Sequence, residues 1–107
     1  MTDEQFEAVA SVEQLPSGQT LCVEVQGREV LICHTSEGIF AVDNLCSHAA
    51  ERLSEGKLKG QRILCPLHGA AFDVRDGSAL TRPAVRPIAN HAVRVEGNQI
   101  LVSLTET

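Results

Sequence analysis

The sequence predicts an all-β domain, and two observations carry that prediction. Its apolar residues recur at every second position rather than every third or fourth, in eight short runs. The breaks between runs hold Gly, Asn, Asp or Pro, the residues of turns. At 107 residues the chain is one domain with a modest core, too small to carry a second, catalytic domain beside it. With three Phe and no Tyr or Trp, that core must be built mainly from Val, Ile, Leu and Ala.

The predicted strands follow one another as "FEAVAS", "TLCVEVQ", "EVLICHT", "GIFAVDN", "RILC", "AAFDV", "AVRVEG" and "QILVSL". Between the first two, "SVEQLPSG" reads as a single helical turn capped by Ser11 and ending at Pro16. Two hairpins stand out: "VEVQGREVLI", turning near Gly27, and "VRVEGNQILV", turning at Gly97-Asn98. A turn centred on Gly27-Arg28 sets Cys22 opposite Cys33, and both read as core thiols rather than a disulfide. His34 and His91 lack a partner at ligand spacing and take ordinary strand or loop roles. Asp73 and Asp76, around "FDVRDG", read as turn residues with Gly77 supplying the backbone angle.

Fourteen acids against nine bases give a formal charge of -5, which argues against a nucleic-acid surface and favours a basic partner. The opening "MTDEQFEAVA" has no basic n-region, and no run of 18 apolar residues occurs, so neither a signal peptide nor a membrane span is expected. A cytoplasmic location follows, where four cysteines are ligands, reactive thiols or core residues rather than disulfides.

Two stretches refuse the strand pattern, "LCSHAAERLSEGKLKGQ" and "CPLHGAA". Each carries one Cys and one His: Cys46 and His48 in the first, Cys65 and His68 in the second, with sixteen residues between His48 and Cys65. Two loops that each offer two soft or borderline ligands can hold a metal centre from two sides. The ligand types permit a structural zinc. Zinc sites, however, usually recruit like ligands in pairs, whereas each loop here supplies one of each kind. The mixed pairing suits a two-iron two-sulfur cluster with both thiolates on one iron and both imidazoles on the other. Two ferric ions, two sulfides and two thiolates sum to zero charge, so one added electron is better tolerated than in an all-cysteine cluster.

The pattern C-x-H, sixteen residues, then C-P-x-H-G resembles the Rieske iron-sulfur signature. The likeness to small Rieske ferredoxins of bacterial aromatic-ring-hydroxylating dioxygenases extends through "GIFAVDNLCSH", "LSEGKLKG", "CPLHGAAFDVRDG", the proline loop "RPAVRP" and the closing hairpin. It implies a Rieske-type antiparallel β-sandwich or barrel with a small cluster-binding subdomain at one tip. A single Rieske domain would fill 1–107, with cluster loops at about 44–56 and 64–72 and the proline loop at about 81–87. By position, Cys46 and Cys65 would bind one iron and His48 and His68 the other. Gly69 would let the backbone pass close to the cluster, and Pro83 would help to cover it. No residue would be catalytic: the chain would be a monomeric electron carrier, not an enzyme. It would pass one electron from a flavin-dependent ferredoxin reductase to a terminal Rieske oxygenase through transient contacts, the imidazole edges facing solvent. A small Rieske subunit of an assimilatory nitrite reductase, or a zinc-stabilised binding module, are the alternatives.

Departures from the pattern add detail. High-potential relatives bridge the two cluster loops by a disulfide, but the matching positions are Glu51 and Leu67. Their hydroxyl donors to the cluster are matched here by Ala70 and Phe72. Without those donors the expected potential lies towards the low end of the Rieske range, roughly -150 mV. Arg82 stands where a Gly is expected before Pro83.

Overall fold

The computed structural model describes residues 5–47, 51–66, 70–81 and 86–105. Among these, strands β1 (Glu7–Ser11), β2 (Thr20–Val25), β3 (Arg28–Thr35), β4 (Gly38–Asp43), β8 (Asn90–Glu96) and β9 (Gln99–Ser103) form one antiparallel sheet in the order β1-β9-β8-β4-β3-β2. Its edges β1 and β2 touch, so the sheet is a nearly closed barrel. Strands β5 (Lys57–Lys59), β6 (Arg62–Leu64) and β7 (Ala71–Asp73) form a small second sheet. The all-β prediction holds, and the small sheet belongs to the chain between β4 and β8.

Two apolar cores result, and β3 serves both. Val30 and Ile32 point into the barrel with Leu15, Val25, Ala41, Ile100 and Val102. Leu31 and Cys33, on the opposite face of the same strand, pack beneath the small sheet with Val42, Leu53, Ile63, Phe72, Val74 and Ile88. The unbroken apolar run "VLIC" is the sequence trace of a strand buried on both faces. In β4 the same alternation sends Ala41 to the barrel and Val42 to the second core.

The β2–β3 hairpin corrects the sequence reading by one turn position. Its two central residues are Gln26 and Gly27, at φ 52 and 83, the pair of positive angles that a type I′ turn requires. Val25 therefore faces Arg28, Cys22 faces Leu31, and Cys33 faces Thr20. Cys22 and Cys33 are neither opposite one another nor bridged. Cys33 is a core thiol, pushed up to about 12 by burial, but Cys22 is exposed. The second hairpin turns on Gly97-Asn98 as expected, with Glu96 opposite Gln99.

The predicted helical turn is a 3-10 turn over Val12–Gln14, and its N-terminus is held by Gln14 Oε1 accepting the Ser11 amide at 2.8 Å. Strand β5 was not anticipated: "KLK" offers one apolar residue between two charges. The two isolated histidines have structural partners. His34 Nδ1 donates to Leu15 O at 2.8 Å. His91 accepts the Thr105 amide at Nδ1 (3.0 Å), which leaves Nε2–H to donate to Asp43 Oδ1 (2.8 Å). Asp73 and Asp76 accept the amides of Arg75 and Ser78, and Gly77 sits at φ 82, the turn chemistry predicted for them.

Candidate metal centre

The first ligand-bearing loop leaves the end of β4 through Asn44, which is fully buried. The Asn44 backbone carbonyl accepts the Leu53 amide at 2.7 Å, and its side-chain oxygen accepts the Ser54 amide at 2.8 Å. Its Nδ2 donates to Glu29 Oε1 and Ser54 Oγ, at 3.1 and 3.2 Å. One side chain thus ties both ends of the loop to the start of β3. Arg52 adds a two-point contact to Glu29, 2.9 and 3.1 Å, and holds that carboxyl below its ordinary value, with Asn44 contributing second. Within this frame Leu45 and Arg52 pair, and the Cys46 amide donates to Glu51 O at 2.9 Å. Glu51, standing where the high-potential relatives hold a cysteine, therefore contributes its backbone to the position of Cys46.

The second loop grows out of β6, whose Leu64 pairs with Ala71 before the Cys65 amide closes on Ala70 O at 2.6 Å. Cys46 and Cys65 are 5% and 2% exposed and belong to the same apolar core, with Ala70 and Phe72 buried beside them. The loops meet at Gly56. A Cβ there would lie 1.7 Å from the Leu64 carbonyl oxygen, so the first loop passes against the residue before Cys65 only because that side chain is absent. The third loop is anchored at both described ends. Thr81 Oγ1 accepts the Ala71 amide at 2.9 Å, and Ser47 Oγ donates to Arg86 O at 2.6 Å.

The structure thus brings the two cysteines of the predicted site into one core. His48, His68, Gly69, Leu67 and Pro83 lie outside the described residues, as do Arg82 and the remainder of 82–85. Among the described residues no group of three potential metal ligands occurs. The donor chemistry fits an iron-sulfur cluster: two thiols from different loops belong to one apolar core, and Cys thiolates are the ligands by which such clusters are held. Sequence reasoning missed Asn44 and Gly56. The signal for the first was an Asn at the end of the apolar strand "IFAVDN", a poor strand residue two positions before the Cys.

Fold and site define a small β-barrel domain that buries two cysteine-bearing loops over a shared apolar core. The chain belongs to the Rieske family: the family model described as "Rieske [2Fe-2S] domain" matches residues 5–101. The ferredoxin component of the naphthalene 1,2-dioxygenase system of Pseudomonas aeruginosa is 41% identical over 105 residues, covering 98% of this chain and all of the relative. Among solved structures, the ferredoxin of carbazole 1,9a-dioxygenase from Nocardioides aromaticivorans IC177 superposes with a TM-score of 0.90 at 36% identity, covering 94% of this chain and 99% of that one. A chain in the complex of reduced oxygenase and oxidised ferredoxin of carbazole 1,9a-dioxygenase is 26% identical, with a TM-score of 0.87 and 94% of each chain covered. The relatives that match end to end are ferredoxin components, and this chain is of that electron-carrier type rather than a catalytic component. No helix among the described residues is long and apolar enough to cross a membrane.

Proposed function

We propose that this chain is a monomeric, cytoplasmic one-electron carrier. In this reading it takes electrons from a flavin-dependent reductase and delivers them to the terminal oxygenase of an aromatic-ring-hydroxylating dioxygenase system. The observation that carries the reading is the burial of Cys46 and Cys65, from two different loops, in one core of a chain that matches ferredoxin components end to end. One Rieske two-iron two-sulfur cluster would be held by these thiols and by His48 and His68, and when bound it supplies a site that gains and loses one electron.

The chain's own residues do the rest. Asn44 and the Cys46–Glu51 bond set the first thiol, and the Cys65–Ala70 bond sets the second. Ala70 and Phe72 bring no side-chain donor to the sulfurs, which supports a potential at the low end of the Rieske range. By the resemblance, Gly69 would let the backbone pass close to the cluster and Pro83 would help to cover it. The whole chain forms a single domain in this reading, with the ligand loops at about 44–56 and 64–72.

The test is electron paramagnetic resonance of the purified, dithionite-reduced protein, with iron, zinc and sulfide assayed on the same sample. The expected result is a rhombic signal with an average g below that of all-cysteine clusters, at two irons per chain. A colourless, silent sample holding one zinc would overturn it.

A further inference from the structure

The charge of the chain is strongly segregated along its fold. Segment 44–87, which carries the ligand loops and the small sheet, holds seven of the nine Lys and Arg but only four of the 14 Asp and Glu. The remaining two bases and ten acids lie in the segments that build the barrel. A chain of net charge -5 is therefore basic in the segment that bears Cys46 and Cys65, while the acidic excess lies in the barrel segments, whose Glu29 and Glu37 reach across to neutralise Arg52 and Arg75.

The small sheet concentrates this charge on one face. Its inward residues Leu58, Ile63 and Phe72 lie side by side against the core, so the alternate residues face outward. On that outer face Lys59 stands directly opposite Arg62, and Lys57 lies two residues along from Lys59; all three are exposed. Like charges in direct cross-strand register oppose folding. Arg62 also faces Asp73, but both carboxylate oxygens of Asp73 are taken by Arg75. Among the described residues Arg28, Arg52, Arg75 and Arg94 are ion-paired, whereas Lys57, Lys59 and Arg62 have no acid within ion-pair distance. No acid among the described residues offsets the like-charge contact, and the lysines guard the exposed edge strand β5 while leaving their charge open to a partner. The patch also adjoins the ligands: Lys57 pairs with Leu64, the residue before Cys65.

We propose that the outer face of the small sheet, Lys57, Lys59 and Arg62, docks against a carboxylate-rich surface of a redox partner protein. The proposal rests on the electron-carrier reading. The unpaired cations of the small sheet, beside Cys65, would be drawn to such a surface first, which steers the encounter towards the ligand-bearing side.

The experiment uses the cluster-loaded protein and the triple variant K57E/K59E/R62E. Stopped-flow electron-transfer rates are measured against the reductase and the terminal oxygenase of the Pseudomonas aeruginosa naphthalene dioxygenase system, at low and high salt. The expected result is a wild-type rate that falls with salt and a loss of about tenfold or more in the variant, for at least one partner. The paramagnetic spectrum and midpoint potential stay unchanged, which separates lost docking from a damaged cluster. Equal rates for variant and wild type, or a wild-type rate that rises with salt, would overturn the proposal. So would salt-sensitive binding of a short DNA duplex or of anionic lipid vesicles that the variant abolishes while its transfer rates persist. A wild-type protein that carries no two-iron signal and takes no electron at any salt refutes the carrier reading itself, and the docking surface with it.

Discussion

The two cores of this molecule are built in different ways. The barrel core is lined almost wholly by strand residues, and its positions are fixed by ladders running through several registers. The core that holds Cys46 and Cys65 takes Cys46, Leu53, Cys65, Ala70, Val74 and Ile88 from loops and turns. Backbone ladders place a side chain redundantly, whereas a loop is placed by a few individual bonds and close approaches. The ligand side is accordingly the part of the molecule where single side chains decide geometry.

The largest effects should come from truncation inside each core, and they should differ in kind. Phe72→Ala is expected to cost about 3–5 kcal/mol, and Ile32→Ala about 2–5 kcal/mol. Urea melts measure both, while iron per folded chain separates them: it should fall for Phe72→Ala and hold for Ile32→Ala. Equal iron loss in the two variants would erase the distinction between the cores.

Gly56→Ala sharpens the comparison at the point where the two loops touch. With a Cβ placed 1.7 Å from the Leu64 carbonyl, one strand must move, at a cost of about 1–3 kcal/mol. A changed paramagnetic line shape is expected, because the displaced backbone leads directly into Cys65. An unaltered spectrum would show that the loops absorb the shift elsewhere. Asn44→Ala leaves the half-buried Ser54 amide without its acceptor and should cost about 1–3 kcal/mol. Its iron content should fall further than its urea midpoint suggests, since the lost bonds close the loop of Cys46.

The last effect is nil at neutral pH and grows only in alkali, and it belongs to the core that holds Cys46 and Cys65. The buried Cys33 thiol is raised from 9.0 to about 12, so the unfolded chain ionises it first. Its contribution to stability is intact below about pH 9 and is lost as the pH climbs towards 12, by up to about 1.4 kcal/mol per unit. The urea midpoint of the wild type should drop faster between about pH 9 and about pH 10.5 than that of Cys33→Val. Parallel slopes would mean that the thiol meets water in the folded state.

What was legible in the sequence follows the same division. Period-two alternation marked the barrel strands because their two faces meet different surroundings, and the Cys-His pairs marked the ligand loops because few other roles need those residues so close together. Strand β5 was invisible because Leu58 alone faces inward. The hairpin register was misjudged because a positive angle was assigned to Gly27 but not to Gln26, which pays for its φ of 52 with strain that only the paired ladder justifies. Asn44 and Gly56 went unnoticed because their importance lies in contacts across the loop, with Ser54, Glu29 and Leu64, that no spacing along the chain encodes.

The double-sided burial of β3 bears on how the molecule comes apart. Because Leu31 and Ile32 are adjacent residues sealed into different interiors, neither interior can open to water without loosening the wall of the other. Heating should therefore give one calorimetric transition whose calorimetric and van't Hoff enthalpies agree, in spite of the two cores. In native-state hydrogen exchange, the amides of Leu31 and Ile32 should exchange together, at the free energy of global unfolding.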